Sequence, residues 1–380
     1  MAKDAPRIMI IAGEASGDLH GAGLAAKLKE MLPEADIQGI GGRRMHDAGV
    51  KILYDSSAWS AIGIAEALKV VPRLALAFWN LRANLKSNPP DLLVLIDFGA
   101  FNFQIARGLR RSGVKVLYYF PPSSWYRDAD YTGLRDTVDR VVTPFPWSAE
   151  ALRKCGIRAD FFGHPLLDVV KPSLPRKEFC AQFGFDAERP IIGLFPGSRT
   201  QEIANNLPVL LTSAERLLES IPELQFAVPL AHEDEIKIPV SPVHIKLLQG
   251  MAYDVLAHSR AAVVTSGTAT LEAAILGCPM VIIYRGSRLT TLEFQLRRGQ
   301  RIKFIGLPNI ILDRPAIPEL TAENASPRRI SELMLKLIPD SPERAEMLSD
   351  LAKAKTILGE PGAVEKTARV VLEMLGLPAD

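Results

Sequence analysis

Short runs made wholly of apolar residues recur along this chain. Each is followed by small residues and then by a stretch with helical spacing. Leu92-Leu93-Val94-Leu95-Ile96 runs into Asp97, and Ile191 to Phe195 runs into Pro196-Gly197-Ser198. A strand that is apolar on both faces is one covered on both faces, which is the situation in a parallel sheet flanked by helices. The first half predicts strands at 8–12, 37–40, 92–96, 116–120, 138–143 and 159–162, with amphipathic stretches such as 22–32 and 103–111 between them. The polar, proline-rich segment Lys171-Pro172-Ser173-Leu174-Pro175-Arg176-Lys177 reads as a linker. The pattern then restarts, with strands at 191–195, 225–228, 243–248, 261–264 and 280–284 and helices at 207–218, 253–258 and 270–276. The tail, 328–375, reads as helical. The expected fold is therefore α/β: two Rossmann-like, doubly wound domains facing a cleft, with a helical C-terminal tail. The expected boundaries are 1–170, a linker 171–189, a second domain 190–340 and terminal helices 341–380.

Composition narrows the class. With 380 residues, two domains are the prior, and 48% hydrophobic against 23% charged residues supports a large core rather than disorder. A net charge of +2, from 45 basic and 43 acidic residues, argues against a general nucleic-acid binder. Cys155, Cys180 and Cys278 are scattered and odd in number, so neither a disulfide framework nor a zinc site is expected, and a reducing cytoplasm fits. The N-terminus carries no signal-peptide pattern. No apolar run reaches the ~20 residues of a membrane span. The nearest, 62–81, is interrupted by Glu66, Lys69, Pro72 and Arg73. Its Phe78 and Trp79, with Lys69, Arg73 and Arg82, would suit a membrane surface, or the segment is an ordinary helix packed on a sheet.

The turns after the strands carry the candidate chemistry. Pro196-Gly197-Ser198-Arg199 and Ser266-Gly267-Thr268 each join an apolar run to a helix-like segment, exposing backbone N–H groups at the positive end of a helix. Two such turns, one with an arginine, point to a diphosphate and so to a nucleotide-linked substrate. Arg199 would clamp a phosphate, or else pair with Glu202. Glu272, read as lying in the first turn of its helix, would accept from ribose hydroxyls or merely complement the helix dipole. In the other half, Gly13-Glu14-Ala15-Ser16-Gly17-Asp18 follows the first strand, where ligands of such sheets bind. The alternative is a tight turn whose Ser16 or Asp18 caps a helix. Asp97, just past its apolar strand, is placed to be a partly desolvated general base, or a helix cap. His164 stands alone and reads more readily as structural. Asp128-Ala129-Asp130 resembles a metal-binding DxD but lies in a polar aromatic loop, so no metal or other cofactor is expected.

Taken in order, Gly13-Glu14-Ala15-Ser16-Gly17-Asp18, Gly63-Ile64-Ala65-Glu66, Ile96-Asp97 with Phe101-Asn102, Gly163-His164, Pro196-Gly197-Ser198-Arg199, Ser266-Gly267-Thr268-Ala269 with Leu271-Glu272, and Leu307-Pro308-Asn309 resemble the lipid-A-disaccharide synthase family. The resemblance runs from about residue 8 to about 320. It implies a GT-B fold and inverting, metal-independent transfer of 2,3-diacylglucosamine from UDP-2,3-diacylglucosamine to 2,3-diacylglucosamine 1-phosphate. It further implies an acceptor-side first domain, a UDP-sugar-binding second domain, and a peripheral enzyme on the cytoplasmic face of the inner membrane. A homodimer is compatible with it. On this reading Asp97 is the base. Arg199, Ser198, Gly197, Ser266, Gly267, Thr268, Glu272 and Asn309 form the donor side. Gly13, Glu14, Ser16, Asn102, Trp125 and His164 form the acceptor side or cleft.

Three departures stand out. The family usually reads Asp-Ala-Pro-Asp-Phe-Asn where this chain has Asp97-Phe98-Gly99-Ala100-Phe101-Asn102. Its Ser-Val-Trp-Ala-Trp is here Ser123-Ser124-Trp125-Tyr126-Arg127, and a glutamine often found after the Leu-Pro-Asn segment is missing near Thr321. The rival readings are another GT-B transferase, a UDP-sugar 2-epimerase, or a silent nucleotide-sugar- or lipid-binding relative.

Overall fold

The structure, a computed structural model, describes residues 5–56, 59, 64–109, 112–230, 243–285 and 303–378, without the side chains of 64–73. The expected Gly63 of the sequence motif, and the side chains of Glu66, Lys69, Pro72 and Arg73, lie outside the described residues. The chain divides into two units, Met1–Asp168 with Leu358–Asp380, and Val169–Ile357.

The first unit holds seven strands: β1 (Arg7–Ala12), β2 (Asp36–Gly41), β3 (Lys51–Asp55), β4 (Leu92–Ile96), β5 (Lys115–Tyr119), β6 (Arg140–Val142) and β7 (Ala159–Asp160). They form a parallel sheet in the order β3-β2-β1-β4-β5-β6-β7. The central strands are apolar throughout because each face meets a separate core. Ile8, Ile10 and Ala12 of β1, with Leu92, Val94 and Ile96 of β4, point into one cluster. Met9, Ile11, Leu93 and Leu95 point into the other. Period-two alternation therefore shows up as which core a side chain enters rather than as apolar against polar.

The second unit repeats the plan with β8 (Ile191–Phe195), β9 (Gln225–Leu230), β10 (Ile245–Gln249), β11 (Ala261–Thr265), β12 (Met280–Tyr284) and β13 (Glu319–Thr321), in the order β10-β9-β8-β11-β12-β13, all parallel. Its single large cluster gathers Ile192, Leu194, Val263 and Ile282 with Leu207, Leu210 and Leu217 of the helix Thr200–Ser220.

The domain boundaries differ from the sequence expectation in two ways. The proline-rich segment is no free linker. Asp254, which is buried, accepts from the backbone N–H groups of Ser173 and Leu174 at 2.8 Å each and from Ser173 Oγ at 2.9 Å, tying the segment to the second unit. The tail also divides. The helices Pro327–Leu337 and Pro342–Ile357 stay in the second unit, while Ala363–Leu375 returns to the first and buries Ala368, Val371 and Leu372 against β1 and β4. Helical spacing alone says that a segment has an apolar face, not which sheet that face covers.

Candidate active site

In a doubly wound sheet a gap opens where the strand order reverses, because the connections on either side leave for opposite faces. In the first unit that point lies between β1 and β4, and in the second between β8 and β11. The four turns singled out in the sequence are the ones that follow these four strands.

After β1 the loop is short. Gly13 and Glu14 complete it, and a helix runs from Ala15 to Met31 with Glu14 in the capping position. The helix begins earlier than the glycine-rich sequence predicts, because Gly17 and Gly21 are buried where it lies against the sheet and the neighbouring Met45. Ser16 is therefore helical, past the capping position. Asp18 does act as a cap, but for another helix. Its buried carboxylate accepts from the N–H groups of Gly42 (2.6 Å), Arg44 (3.1 Å) and Met45 (3.2 Å), at the start of the helix Arg43–Asp47.

After β4 the backbone is strained. Asp97 and Phe98 both take left-handed conformations, with φ of 45° and 51°. Each such non-glycine residue costs roughly 1–2 kcal/mol. Partners hold the turn: Asp97 N–H donates to the carbonyl of Phe120 (3.0 Å), and its own carbonyl accepts from Tyr118 Oη (2.7 Å) and Asn102 Nδ2 (2.8 Å). Asn102 is fully buried and also donates to the Ile96 carbonyl at 3.2 Å. Its Nδ2 thus shapes the turn beneath Asp97. Gly13 is needed here, since a Cβ would come within 2.3 Å of the Phe98 ring. Burial, and then the neighbouring charge of Glu14, raise the Asp97 pKa from 3.8 to about 6, against an opposing backbone hydrogen bond at Phe98.

Trp125 is half-buried on the loop after β5, 5.7 Å from the Tyr126 ring. Arg127, the departure from the family pattern, sits with its guanidinium 4.3 Å from the centre of the Trp147 ring. Trp147 in turn stacks on Phe145 at 4.7 Å and donates to the Ser124 carbonyl at 3.1 Å. Ala100, another departure, is exposed at the start of the helix Gly99–Leu109. His164 is enclosed within the first unit. It is 4% exposed, its Nδ1 accepts from Leu166 N–H at 3.2 Å, and its ring lies 6.1 Å from that of His20, itself stacked on Phe120 at 4.0 Å. Asp130 accepts from the Thr132 N–H at 2.9 Å, a local turn. Among the described residues no group of three or more His, Cys, Asp or Glu side chains is placed to hold a metal ion.

In the second unit Gly197 turns the chain after β8 with φ of 114°, a region open to glycine. Arg199 caps the helix Thr200–Ser220 and pairs with Glu202 at 2.9 Å, while Glu202 Oε2 accepts from the N–H groups of Ser198 (3.1 Å) and Arg199 (3.4 Å). The amides of this turn therefore already hold an internal carboxylate. After β11, Gly267 precedes the helix Thr268–Ile275, which puts Glu272 in its second turn rather than the first; Tyr253 Oη donates to Glu272 at 3.3 Å. Ser266 Oγ donates to the Ile305 carbonyl at 2.8 Å. Asn309 is fully buried, with Nδ2 donating to the Ile317 carbonyl and to Glu319 and Oδ1 accepting from Ile317 N–H, all at 2.8 Å. Its amide thus fixes its own loop.

Sequence reasoning missed Asn206 and Thr265. Asn206 Nδ2 donates to the Pro196 carbonyl (2.8 Å) and to Thr265 Oγ1 (3.1 Å), and Thr265 Oγ1 donates to the Phe195 carbonyl (2.9 Å). They stitch the two turns together. The available signal was an asparagine on the apolar stripe Ile203, Leu207, Leu210.

The buried histidines generate a stability prediction. Burial, then the charge of Arg44, lower the His20 pKa to about 3, and burial, then His20, lower that of His164 well below 6.5. Below about pH 6.5 the unfolded chain binds protons that the folded chain refuses, so stability falls as pH drops from 6.5 toward 3. For His20 the loss is about 2 kcal/mol between pH 7 and pH 5. Urea unfolding across that range checks it, and His164→Asn, which keeps an acceptor for Leu166, is expected to flatten the slope.

Comparison with known proteins places this geometry. The profile of the lipid-A-disaccharide synthetase family matches residues 8–373. A lipid-A-disaccharide synthase of Geobacter sulfurreducens is 43% identical over 377 residues, 97% of each chain. That of Coxiella burnetii is 36% identical over 97% of this chain and 98% of its own. Among solved structures, a UDP-GlcNAc 2-epimerase from Neisseria meningitidis bound to UDP-GlcNAc superposes with a TM-score of 0.65 at 14% identity, covering 97% of this chain and all of that one. A glycosyltransferase from Streptomyces nogalater superposes at 0.62 and 17%, covering 98% of this chain and all of that one. At such identities the solved structures establish the shared GT-B fold, which epimerases and transferases both use. The match across both units, with the turns at both sheet reversals, is what separates them, and by it this chain belongs to the lipid-A-disaccharide synthase family of glycosyltransferases.

Proposed function

We propose that this chain transfers 2,3-diacylglucosamine, with inversion, from UDP-2,3-diacylglucosamine to 2,3-diacylglucosamine 1-phosphate, forming the β-1,6-linked disaccharide and releasing UDP. The observation that carries the reading is Asp97, a half-buried carboxylate on a strained turn at the strand-order reversal, with its pKa raised to about 6. In the proposed step the acceptor oxygen bonds to the anomeric carbon, the bond from that carbon to the diphosphate breaks, and the acceptor proton passes to Asp97. A base with this pKa is ionised near neutrality yet basic enough to accept a proton as attack proceeds. Glu14, whose charge helps raise Asp97, tunes the base.

Charge builds on the departing diphosphate. Arg199 and the amides of Gly197, Ser198, Gly267 and Thr268 are the proposed stabilising groups, with Ser266 and Glu272 on the nucleoside side. The Glu202 carboxylate now held by Ser198 and Arg199 supports this, because a turn that holds one anion is already arranged for another. The scheme uses protein groups alone, with no metal or cofactor.

Acylated substrates imply contact with lipid. On the helix Ile64–Ser87, Leu76 and Trp79 are 63% and 62% exposed, three residues apart, with the Arg82 guanidinium 5.9 Å from the Trp79 ring. We place the membrane contact there, on the cytoplasmic side of the inner membrane. Phe78, first grouped with this surface, instead packs inward 5.5 Å from Phe101. Among the described residues no helix is long and apolar enough to cross a membrane.

Four outcomes are expected. Asp97→Asn lowers kcat by about 10²–10⁴ with UDP binding retained. In the parent enzyme kcat/KM falls as pH drops below about 6, where the base is protonated. Near-normal turnover of the variant, measured as UDP released only when the acylated acceptor is present, would remove Asp97 as base; UDP release or sugar epimerisation without acceptor would favour the rival activities. Arg199→Ala weakens UDP binding by about 1.5–3 kcal/mol, readable by calorimetry. Leu76→Ser with Trp79→Ser reduces sedimentation with anionic liposomes while the folded variant still binds UDP, and unchanged sedimentation would move the membrane contact elsewhere.

A further inference from the structure

We infer that the aromatic row beside Asp97 is the seat of an acyl chain of the acceptor, and that Phe98 sets the preference for long chains. The inference rests on the reaction proposed above. The row starts at the residue bonded to the base. The Phe98 ring lies 4.8 Å from Phe101 and 6.0 Å from Trp59, Phe101 lies 5.5 Å from Phe78, and Phe78 lies 5.7 Å from Trp79. Trp59, Phe98, Phe101 and Phe78 are each only partly buried, and the row ends on the exposed Trp79 and Leu76. An apolar path thus joins the base to the surface assigned to lipid.

The ring at position 98 is a costly choice for a turn. A bulky residue at φ 51° is strained, and Gly13 must stay bare to admit it. The family pattern has alanine there, which would make the same turn without needing that space. The ring therefore adds something other than the turn. What it adds is apolar area on the residue next to the base, continuous with Phe101 and Phe78. A ligand whose hydroxyl reaches Asp97 and whose remainder is hydrocarbon gains by lying along that row, because burying apolar area against aromatic rings is favourable and needs no directional partner.

The test compares two acceptors with the intact enzyme: 2,3-diacylglucosamine 1-phosphate with long acyl chains, and the same compound with short ones. The readout is the ratio of their kcat/KM values. Phe98→Ala and Trp59→Ala are each expected to lower the long-to-short ratio about tenfold, mainly through KM of the long-chain acceptor, and Phe98→Leu to keep most of it. A variant that loses activity on both acceptors equally, or on neither, overturns the inference, since a displaced base would affect both alike. Trp59→Ala, remote from the Asp97 backbone, supplies the measurement if Phe98→Ala does not fold. If the unaltered enzyme transferred sugar to neither acceptor, the reaction itself would fall and this inference with it; an unchanged ratio in active variants overturns this inference alone.

Discussion

The reversal of strand order in each sheet is the constraint on which the rest depends. β1 and β4 lie side by side and parallel, yet the chain reaches them from opposite directions of winding, and the same holds for β8 and β11. Elsewhere in a sheet each loop runs over its neighbour. At the reversal the loops diverge and the carboxyl ends of two strands stay open. Gly13–Glu14 and Asp97–Phe98 occupy one such place, and Pro196–Arg199 and Ser266–Thr268 the other. These are the places where topology leaves room for a ligand.

That room is used under strain. Two consecutive left-handed residues at Asp97 and Phe98, with Phe120 and Ser123 also at positive φ after β5, concentrate unfavourable backbone at one end of one sheet. Tyr118 and Asn102 offset part of it by donating to the Asp97 carbonyl, at about 1 kcal/mol each. The carboxylate is half-buried with the charge of Glu14 acting on it, which is why its proton affinity rises. Backbone strain, burial and proton affinity are here three aspects of one turn. The second unit works differently: its turn after β8 is held by Glu202, a local anion that satisfies amides and arginine together.

The central strands were legible because both their faces are buried, which forces unbroken apolar runs such as Leu92 to Ile96. β3 and β13 were not, since edge strands are half-exposed and β13 spans only Glu319–Thr321. The glycines at 17 and 21 read as loop, though they are helical and small because the helix lies close to the sheet. For the site, the turns carrying Asp97, Arg199 and Gly267 were visible from residue type and position alone. The backbone hydrogen bonds of Asn102 and Asn309 were not, because an asparagine in a motif looks the same whether it touches a ligand or its own backbone, whereas His164, standing alone, already read as structural.

The sequence by itself determined the α/β class, two units, the parallel strands of both centres and the small-residue turns that follow them. These follow from patterns of neighbouring residues: apolar runs, glycine and serine after a strand, a carboxylate at a strand end. Only the tertiary structure decided that the helix Ala363–Leu375 closes the first unit, that Asp18 caps a helix remote in sequence, that Arg127 rests on Trp147, and that Phe98 stands over Gly13. Each of these joins residues far apart in the chain. Their energy comes from shape and hydrogen-bond direction in three dimensions, which local sequence pattern does not record.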